Sequence, residues 1–269
     1  MESLTASYND RPIAGNADTS FLKVLALAFM LTDHLGAAIF PGVTELRVIG
    51  RMAFPLYAWC LVVGSEKTRS IPRYGLRILL LGLVSQPLYM AALNHAWLDL
   101  NILFSMTAGL AAIYGIKAKW YGSQVWVPVL CFILHGLLKM DYGWRGLAFI
   151  LVLYGARKTR SGLAAAYLAY ALSWGGGNPI PGFLGIPFSF LNWPAVGDVL
   201  KPFFRMQSMI WLSLPLILNT FQTGLRLPKW LGYALYPMHL AVLMAIKLLL
   251  SAHVGALFHY WLSLWGGSV

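Results

Sequence analysis

The 20 residues from Phe21 to Phe40 constrain this chain most, because they are apolar enough to span a membrane and yet contain ionisable residues. A helix of this length is about 30 Å long, which is enough to cross the hydrocarbon core of a bilayer. Lys23 lies near its start, and Asp33 and His34 are adjacent in its second half. An ionisable side chain inside a span is by default a functional candidate that faces protein or a water-filled cavity. The stretch therefore predicts a polar site inside a membrane protein.

The composition of the whole chain agrees with this interpretation. Of 269 residues, 59% are hydrophobic and only 11% are charged, whereas about a quarter of the residues in an ordinary soluble domain are charged. We therefore predict an all-α, polytopic integral membrane protein. The formal net charge of +11 is attributed to cytoplasmic loops, and no nucleic-acid partner is inferred from it.

Apolar runs predict about nine transmembrane helices. Two of the runs are shorter than the roughly 20 residues that a span usually needs, so eight to ten spans remain open. Residues 1–20 are polar and are predicted to form a disordered tail, with residues 21–269 as the transmembrane domain. The runs cover residues 21–40, 46–64, 74–93, 100–116, 124–140, 143–156, 161–175, 207–223 and 230–251.

The distribution of basic residues between alternate loops predicts the orientation, because cytoplasmic loops are enriched in Lys and Arg. The N-terminus is therefore expected in the cytoplasm and the C-terminus on the other side, which is the periplasm if the membrane is a bacterial inner membrane. One set of loops contains Lys67, Arg69, Arg73, Lys117, Lys119, Arg157, Lys158, Arg160, Arg226 and Lys229, and the other contains Arg47, Lys139, Lys201 and Arg205.

Lys23 and His34 are eleven residues apart, which is almost three turns of a helix, so they share one face and lie about 16 Å apart along the axis. This spacing suits a long ligand with phosphates at one end and a reactive atom at the other. Asp33 points about 100° away from His34 and is expected to meet a cation on another helix.

Arg47 and Arg51 stand four residues apart, on one helical face, and are the expected partners of Asp33. Guanidinium groups in a low dielectric bind carboxylate or phosphate, so the pair is a ligand site, a structural ion pair between the first two helices, or both. His34 is either a general base or an inert, hydrogen-bonded histidine.

Four further residues are site candidates from their positions near the ends of spans or beside a proline: Asn101, His135, Asp141 and His239. Helix capping is an equally good explanation for Asn101 and Asp141, whereas Pro237 could aim His239 inward by breaking its helix. The two cysteines lie apart in apolar runs, and no metal-binding motif is present, so no metal is expected.

Five segments together resemble the TraX family, membrane proteins associated with N-terminal acetylation of conjugative pilin. The spacing of Lys23 and His34 is also similar to that of a basic residue and a catalytic histidine in the wider membrane-embedded acyltransferases. The segments run in the family's order, between Leu22 and about Leu243, and are LKVLALAFMLTDHLGA, LRVIGRMAFPLYAWCLVVG, LNILFSM, DYGWRGLAFILVLYG and YALYPMHLAVL.

The resemblance implies transfer of an acetyl group from acetyl-coenzyme A to the N-terminal amine of a pilin subunit at a bacterial inner membrane. It implies His34 as the base and Asp33, with Arg47 and Arg51, as the groups that organise the site. Lys23 is implied as a residue near the phosphates of coenzyme A, and the two arginines as further binding residues. Membrane lipid and pilin are the implied partners.

Other functions remain open at this point. The acceptor could instead be another extracytoplasmic molecule, such as a sugar. A transporter would use the same buried charges as a substrate pathway, and a noncatalytic pilus-assembly protein would hold pilin without chemistry. Binding of coenzyme A would distinguish the enzyme from the transporter and from the assembly protein, because neither of these needs it.

Overall fold

The computed structural model of the chain describes residues 13–265, except for the side chains of residue 229 and of residues 252–265. This part of the chain is mostly helical, and eleven α-helices follow one another in it. They are α1 Thr19–Ala38, α2 Thr44–Gly50, α3 Ala53–Lys67, α4 Ile71–Leu93, α5 Ile102–Ala118, α6 Ser123–Leu137, α7 Gly143–Ala156, α8 Arg160–Trp174, α9 Val196–Leu200, α10 Leu214–Leu218 and α11 Lys229–Trp265.

Two pairs of very short strands lie in the connections between helices. Strand β1 (Asp99–Leu100) pairs in parallel with β2 (Lys139–Met140), and β3 (Gly182–Phe183) pairs antiparallel with β4 (Ile186–Pro187). The first pair ties the start of α5 to the end of α6. The second lies in the long Gly- and Pro-rich connection between α8 and α9.

Several helices begin at a residue whose side chain caps the free backbone N–H groups of the first turn. The side chain of Asp18 accepts from the backbone N–H of Phe21, and that of Ser70 accepts from Arg73. The break between α2 and α3 falls just before Pro55, which therefore lies in the first turn of α3, where its missing N–H removes no helical hydrogen bond.

Helix α3 lies at the centre of the bundle, and most of its residues are buried. It packs against α1, α7 and α5, while α1 also contacts α2 and α11. Trp59 on α3 is fully buried, and its indole N–H donates to the backbone oxygen of Asn16 over 2.7 Å. The first helix is thus fixed against α2, α3 and α11, the elements that build the candidate site.

Four helices are long and apolar enough to cross a bilayer, which supports a membrane protein but does not confirm a count of about nine spans. They are Thr19–Ala38, Thr44–Lys67 taken across its break, Ile71–Leu93 and Trp230–Ser251. The predicted span at 207–223 is instead a 3₁₀ turn (Ser208–Ser213) followed by the five residues of α10. In this segment the hydroxyl of Tyr167 donates to the backbone oxygen of Ile210, and Pro215 stands in the first turn of α10.

Helix α4 shows how the bundle presents apolar side chains to the membrane. Leu76, Leu80, Leu83 and Val84 are each more than half exposed, and their spacing places them on one face of the helix. A large exposed apolar stripe of this kind marks a lipid or protein contact.

The N-terminal tail differs from its prediction. Residues 1–12 lie outside the described part of the chain, but residues 13–18 are not a disordered tail. The backbone N–H of Ala14 donates to the oxygen of Arg157, and that of Asn16 donates to the oxygen of Ile217. Asn16 is fully buried. Side chains contribute as well, since the amide of Asn16 donates to the oxygen of Leu216 and the hydroxyl of Thr223 donates to Asp18.

Candidate functional site

Asp33 and His34 leave α1 in different directions, as neighbouring residues on a helix must. Asp33 faces α2, whereas His34 faces α11. Each meets a partner that the sequence had marked as a candidate, and the two pairs lie side by side in the bundle.

Asp33 is held between the two arginines. Its Oδ2 lies 2.8 Å from Nη1 of Arg47, and its Oδ1 lies 3.3 Å from Nη2 of Arg51. Nη1 of Arg47 also donates to the backbone oxygen of Asp33 over 3.0 Å. Nη1 of Arg51 donates to the side chain of Gln207 over 3.3 Å. Two guanidinium groups on one carboxylate leave a net positive charge beside the histidine.

Two glycines allow α1 and α2 to approach closely enough for these pairs. A Cβ atom on Gly50 would lie 2.2 Å from the Cβ of Asp33, and one on Gly36 would lie 2.9 Å from the Cβ of Leu46. Any larger residue at position 50 would push Asp33 away from the arginines. The close contact explains why glycine stands between Arg47 and Arg51.

His34 and His239 form a hydrogen-bonded pair. Nδ1 of His34 lies 3.0 Å from Nε2 of His239, and the rings stack with their centroids 5.1 Å apart. Helix α11 continues through Pro237 as one helix, so the expected break there is not found. Instead, the helix itself brings His239 to His34.

The hydrogen bonds of this pair assign its neutral tautomers. Nδ1 of His239 lies 3.3 Å from the carbonyl oxygen of Leu235, which only accepts, so this nitrogen carries the proton. Nε2 of His239 must then accept, and Nδ1 of His34 donates to it. The Nε2 atom of His34 is left with a free lone pair, as a general base requires.

These groups line one cavity of about 360 Å³. Asp33, His34, Arg47, Arg51 and Asp141 all reach its wall, so the structure gathers five of the predicted residues. Burial raises the pKa of Asp141, which lies in the connection between α6 and α7, to about 6. His239 lies behind His34.

Several residues of this wall were not predicted from the sequence. His95 lies there with its ring stacked on Tyr89, at a centroid distance of 4.5 Å and an interplanar angle of 4°. Because His95 lies in a connection between two apolar runs, nothing in the sequence indicated that it belongs to a site. The wall also contains four tyrosines, which look like ordinary membrane residues in sequence: Tyr57, Tyr89, Tyr142 and Tyr236.

Lys23 lines a second cavity of about 160 Å³ with Ser20 and Tyr74. The two cavities share three wall residues: Tyr57, Ile102 and Tyr236. Lys23 and His34 therefore face adjoining spaces along one side of α1, as their spacing predicted.

Like His239, two further candidates do not line either cavity. Asn101 is fully buried and caps α5, where its amide donates to Gly82 and Gln86 and its oxygen accepts from Leu103. The capping alternative is therefore correct for Asn101. His135 is buried near the end of α6 and binds the carbonyl oxygen of Cys131 over 2.8 Å. A position near a helix end had suggested a site for both residues, but their helices place them elsewhere.

Among the side chains that the structure describes, which are those of residues 13–228 and 230–251, no group of three or more His, Cys, Asp or Glu is placed to hold a metal ion. Cys60 and Cys131 are free and buried.

Comparison with known proteins gives two curated relatives. The chain is 26% identical over 248 residues to a probable fimbrial assembly protein FimC, serogroup H1, of Dichelobacter nodosus, covering 85% of this chain and 95% of the relative. It is 29% identical over 150 residues to the uncharacterized protein RP591 of Rickettsia prowazekii (strain Madrid E). That alignment covers 53% of this chain and spans 57% of the relative's length. No solved structure matches.

A family model described as TraX protein matches residues 18–247, which include both cavities and every predicted site residue. The chain therefore belongs to the TraX family.

Proposed function

We propose that this chain transfers an acetyl group from acetyl-coenzyme A to the N-terminal amine of a pilin subunit, with His34 as general base. The observation that carries the proposal is that His34, whose Nε2 is left as an acceptor by the hydrogen bond to His239, lines a charged cavity that adjoins the space lined by Lys23. Membership of the TraX family and the relative described as a fimbrial assembly protein support a role connected with pili.

Coenzyme A would enter with its phosphates near Lys23 and its thioester near His34. The helical spacing of about 16 Å between these residues fits a long, thin donor. The apolar and tyrosine-lined walls would suit the pantetheine arm. The positive charge of Arg47 and Arg51, only partly neutralised by Asp33, would attract a polarised carbonyl oxygen.

In the transfer step, the neutral amine attacks the carbonyl carbon of the thioester. The C–N bond forms, and Nε2 of His34 takes the proton that the amine loses. The C–S bond then breaks, and the departing thiolate takes this proton back from His34. The products are an N-acetylated peptide and free coenzyme A.

Arg51 is the best placed group to stabilise the oxyanion of this step. It lines the cavity, and its guanidinium is already held in place by Asp33 and Gln207. A donor that is already desolvated and in position costs no reorganisation when charge develops on the oxygen.

The test is acetyl transfer by the purified full-length protein to a pilin N-terminal peptide, followed by mass spectrometry of the peptide. His34→Ala should abolish transfer. His135→Ala is the matched control, because it removes another buried histidine that reaches neither cavity. Full activity of a folded His34→Ala protein would end this mechanism.

Binding of coenzyme A separates an enzyme from a transporter or an assembly factor. Calorimetry should show saturable binding to the wild type that is weakened by Lys23→Ala. If coenzyme A binds but the peptide is not acetylated, the acceptor would be another molecule, such as a sugar. Absence of binding to the folded wild type would contradict the acyltransferase.

A further inference from the structure

A second charged space lies at the helix ends beyond the two cavities already described. It measures about 540 Å³ and contains four basic residues: Lys117, Lys119, Arg157 and Lys158. We refer to it as the basic pocket. Lys117 and Lys119 stand at the end of α5, and Arg157 and Lys158 directly follow α7.

The floor of the basic pocket is fixed by a buried acid. Oε1 of Glu66 lies 2.9 Å from Nζ of Lys117 and 3.1 Å from Nε of Arg157. The guanidinium of Arg157 also lies over the ring of Tyr154, at 3.8 Å from its centroid. These contacts hold two cations in place before any ligand arrives.

The rim of the basic pocket differs from its floor. Lys119 and Lys158 are exposed, and neither forms an ion pair within the part of the chain that the structure describes. Among the described residues, the ion pairs of the basic pocket join one carboxylate to two of its four cations, so these groups together carry a net positive charge. An anion is the ligand that this charge would attract.

The turn beside Lys119 places the pocket at the level of lipid headgroups. Trp120 is 65% exposed and Tyr121 is 86% exposed. Such rings are enriched at membrane–water interfaces, where their apolar faces and polar tips meet different media. The turn that carries them is therefore expected to lie at the membrane surface.

The same turn is built with an unusual backbone. Lys119 and Tyr121 have left-handed conformations, with φ of 50° and 45°, which non-glycine residues seldom adopt. The hydroxyl of Ser123 holds this turn by accepting from the N–H of Trp120 and donating to the oxygen of Gly115. Lys119 and the two aromatic residues are thus fixed together.

We propose that the basic pocket binds the phosphodiester headgroup of an anionic phospholipid. The floor cations and the rim lysines would contact the phosphate, while Trp120 and Tyr121 would pack against the glycerol and upper acyl chains. Basic pockets between helices near a membrane surface bind such headgroups. This site is independent of the proposed acyl transfer.

The experiment is native mass spectrometry of the full-length protein in detergent, titrated with phosphatidylglycerol or with zwitterionic phosphatidylcholine. The test variant is Lys119→Gln with Lys158→Gln, since both side chains are exposed and their loss should not unfold the protein. Arg69→Gln with Arg73→Gln is the control, because it removes the same charge from exposed residues of the α3–α4 connection and the start of α4, outside the pocket.

The wild type and the control should bind phosphatidylglycerol equally, and the test variant should bind it about tenfold more weakly or worse. If both variants lose phosphatidylglycerol binding to the same extent, the loss is due to general surface charge and not to the basic pocket. If the wild type binds phosphatidylcholine as well as phosphatidylglycerol, the protein makes only an apolar contact with lipid and does not recognise the anionic headgroup. Displacement of the lipid by inorganic phosphate or by coenzyme A at low concentration would identify a soluble phosphate as the ligand. Each of these three results overturns the proposal.

Discussion

The Nδ1 atom of His34 lies 3.0 Å from the Nε2 atom of His239, although 205 residues separate them in the chain. The hydrogen bond from His239 to Leu235 fixes the direction of this contact. In the proposed mechanism, His239 would act as a positioning residue that orients the His34 ring and leaves its Nε2 as the basic atom. The arrangement uses an imidazole where many enzymes use a carboxylate.

Replacement of His239 should slow acetyl transfer without weakening the binding of the donor. We expect His239→Ala to lower kcat by about 10²-fold, the scale of a single acid–base contribution, with little change in KM for acetyl-coenzyme A. His239→Gln should retain more activity, because its amide oxygen can still accept from Nδ1 of His34. Steady-state kinetics of both variants would check this, and equal losses in kcat would contradict the positioning role.

Gly50 should tolerate no side chain. A Cβ there would lie 2.2 Å from the Cβ of Asp33, so Gly50→Ala must force α1 and α2 apart. We expect a loss of about 1–3 kcal/mol, as for other overpacked contacts, measured by thermal unfolding in detergent. Gly42→Ala is the matched control, since a Cβ added at Gly42 would meet no other atom within 4 Å. Comparable losses in the two variants would refute the close-contact argument.

Glu66 should be far more important for stability than an exposed acid. It is 6% exposed and bridges Lys117 and Arg157, so Glu66→Ala removes the carboxylate that contacts the buried Arg157 and the partly buried Lys117. Breaking a buried pair typically costs about 3–5 kcal/mol, whereas an exposed pair contributes about 0–1 kcal/mol. Asp198→Ala breaks the exposed pair with Lys201 and is the control. Chemical unfolding of both variants would measure the difference.

Asp99 should make stability depend on acid pH. The hydrogen bond from Lys139 lowers the pKa of the Asp99 carboxyl below its ordinary value of 3.8. The ionised form is therefore favoured by folding, so its contribution is complete above about pH 4 and is lost as the pH falls through the lowered folded value. The Tm of the wild type should fall more steeply below pH 4 than that of Asp99→Asn. Lys139→Gln should also make the dependence of Tm on pH less steep below pH 4. If both variants show the same slope as the wild type, this linkage is contradicted.

The ionisable residues of α1 could be predicted as a site from sequence because charged side chains are costly inside an apolar span and are seldom found there without a function. Helical geometry also gave the common side of Lys23 and His34, and the partners of Asp33. Each of these inferences used positions within one or two neighbouring helices, where spacing is a reliable guide.

Contacts between distant segments could not be obtained in this way. His95 lies in a connection, and only the packing of α4 brings its ring to the cavity. Asn101 and His135 resemble site residues in sequence, but their partners are a neighbouring helix and their own backbone. The count of about nine spans is likewise not confirmed, since Ser208–Leu218 is apolar but is divided into a 3₁₀ turn and a five-residue helix.

The wall between the two cavities gives a last prediction about how the donor reaches His34. Ile102 lines both spaces, together with Tyr57 and Tyr236, so a larger side chain at this position would narrow the route between them. Ile102→Trp should lower acetyl transfer at least tenfold, whereas the affinity for 3′-phosphoadenosine 5′-phosphate, the nucleotide end of coenzyme A, should not change. Ile102→Val is the control and should behave as the wild type. If the tryptophan variant is folded and fully active, the donor does not pass this wall, and Lys23 cannot share a ligand with His34.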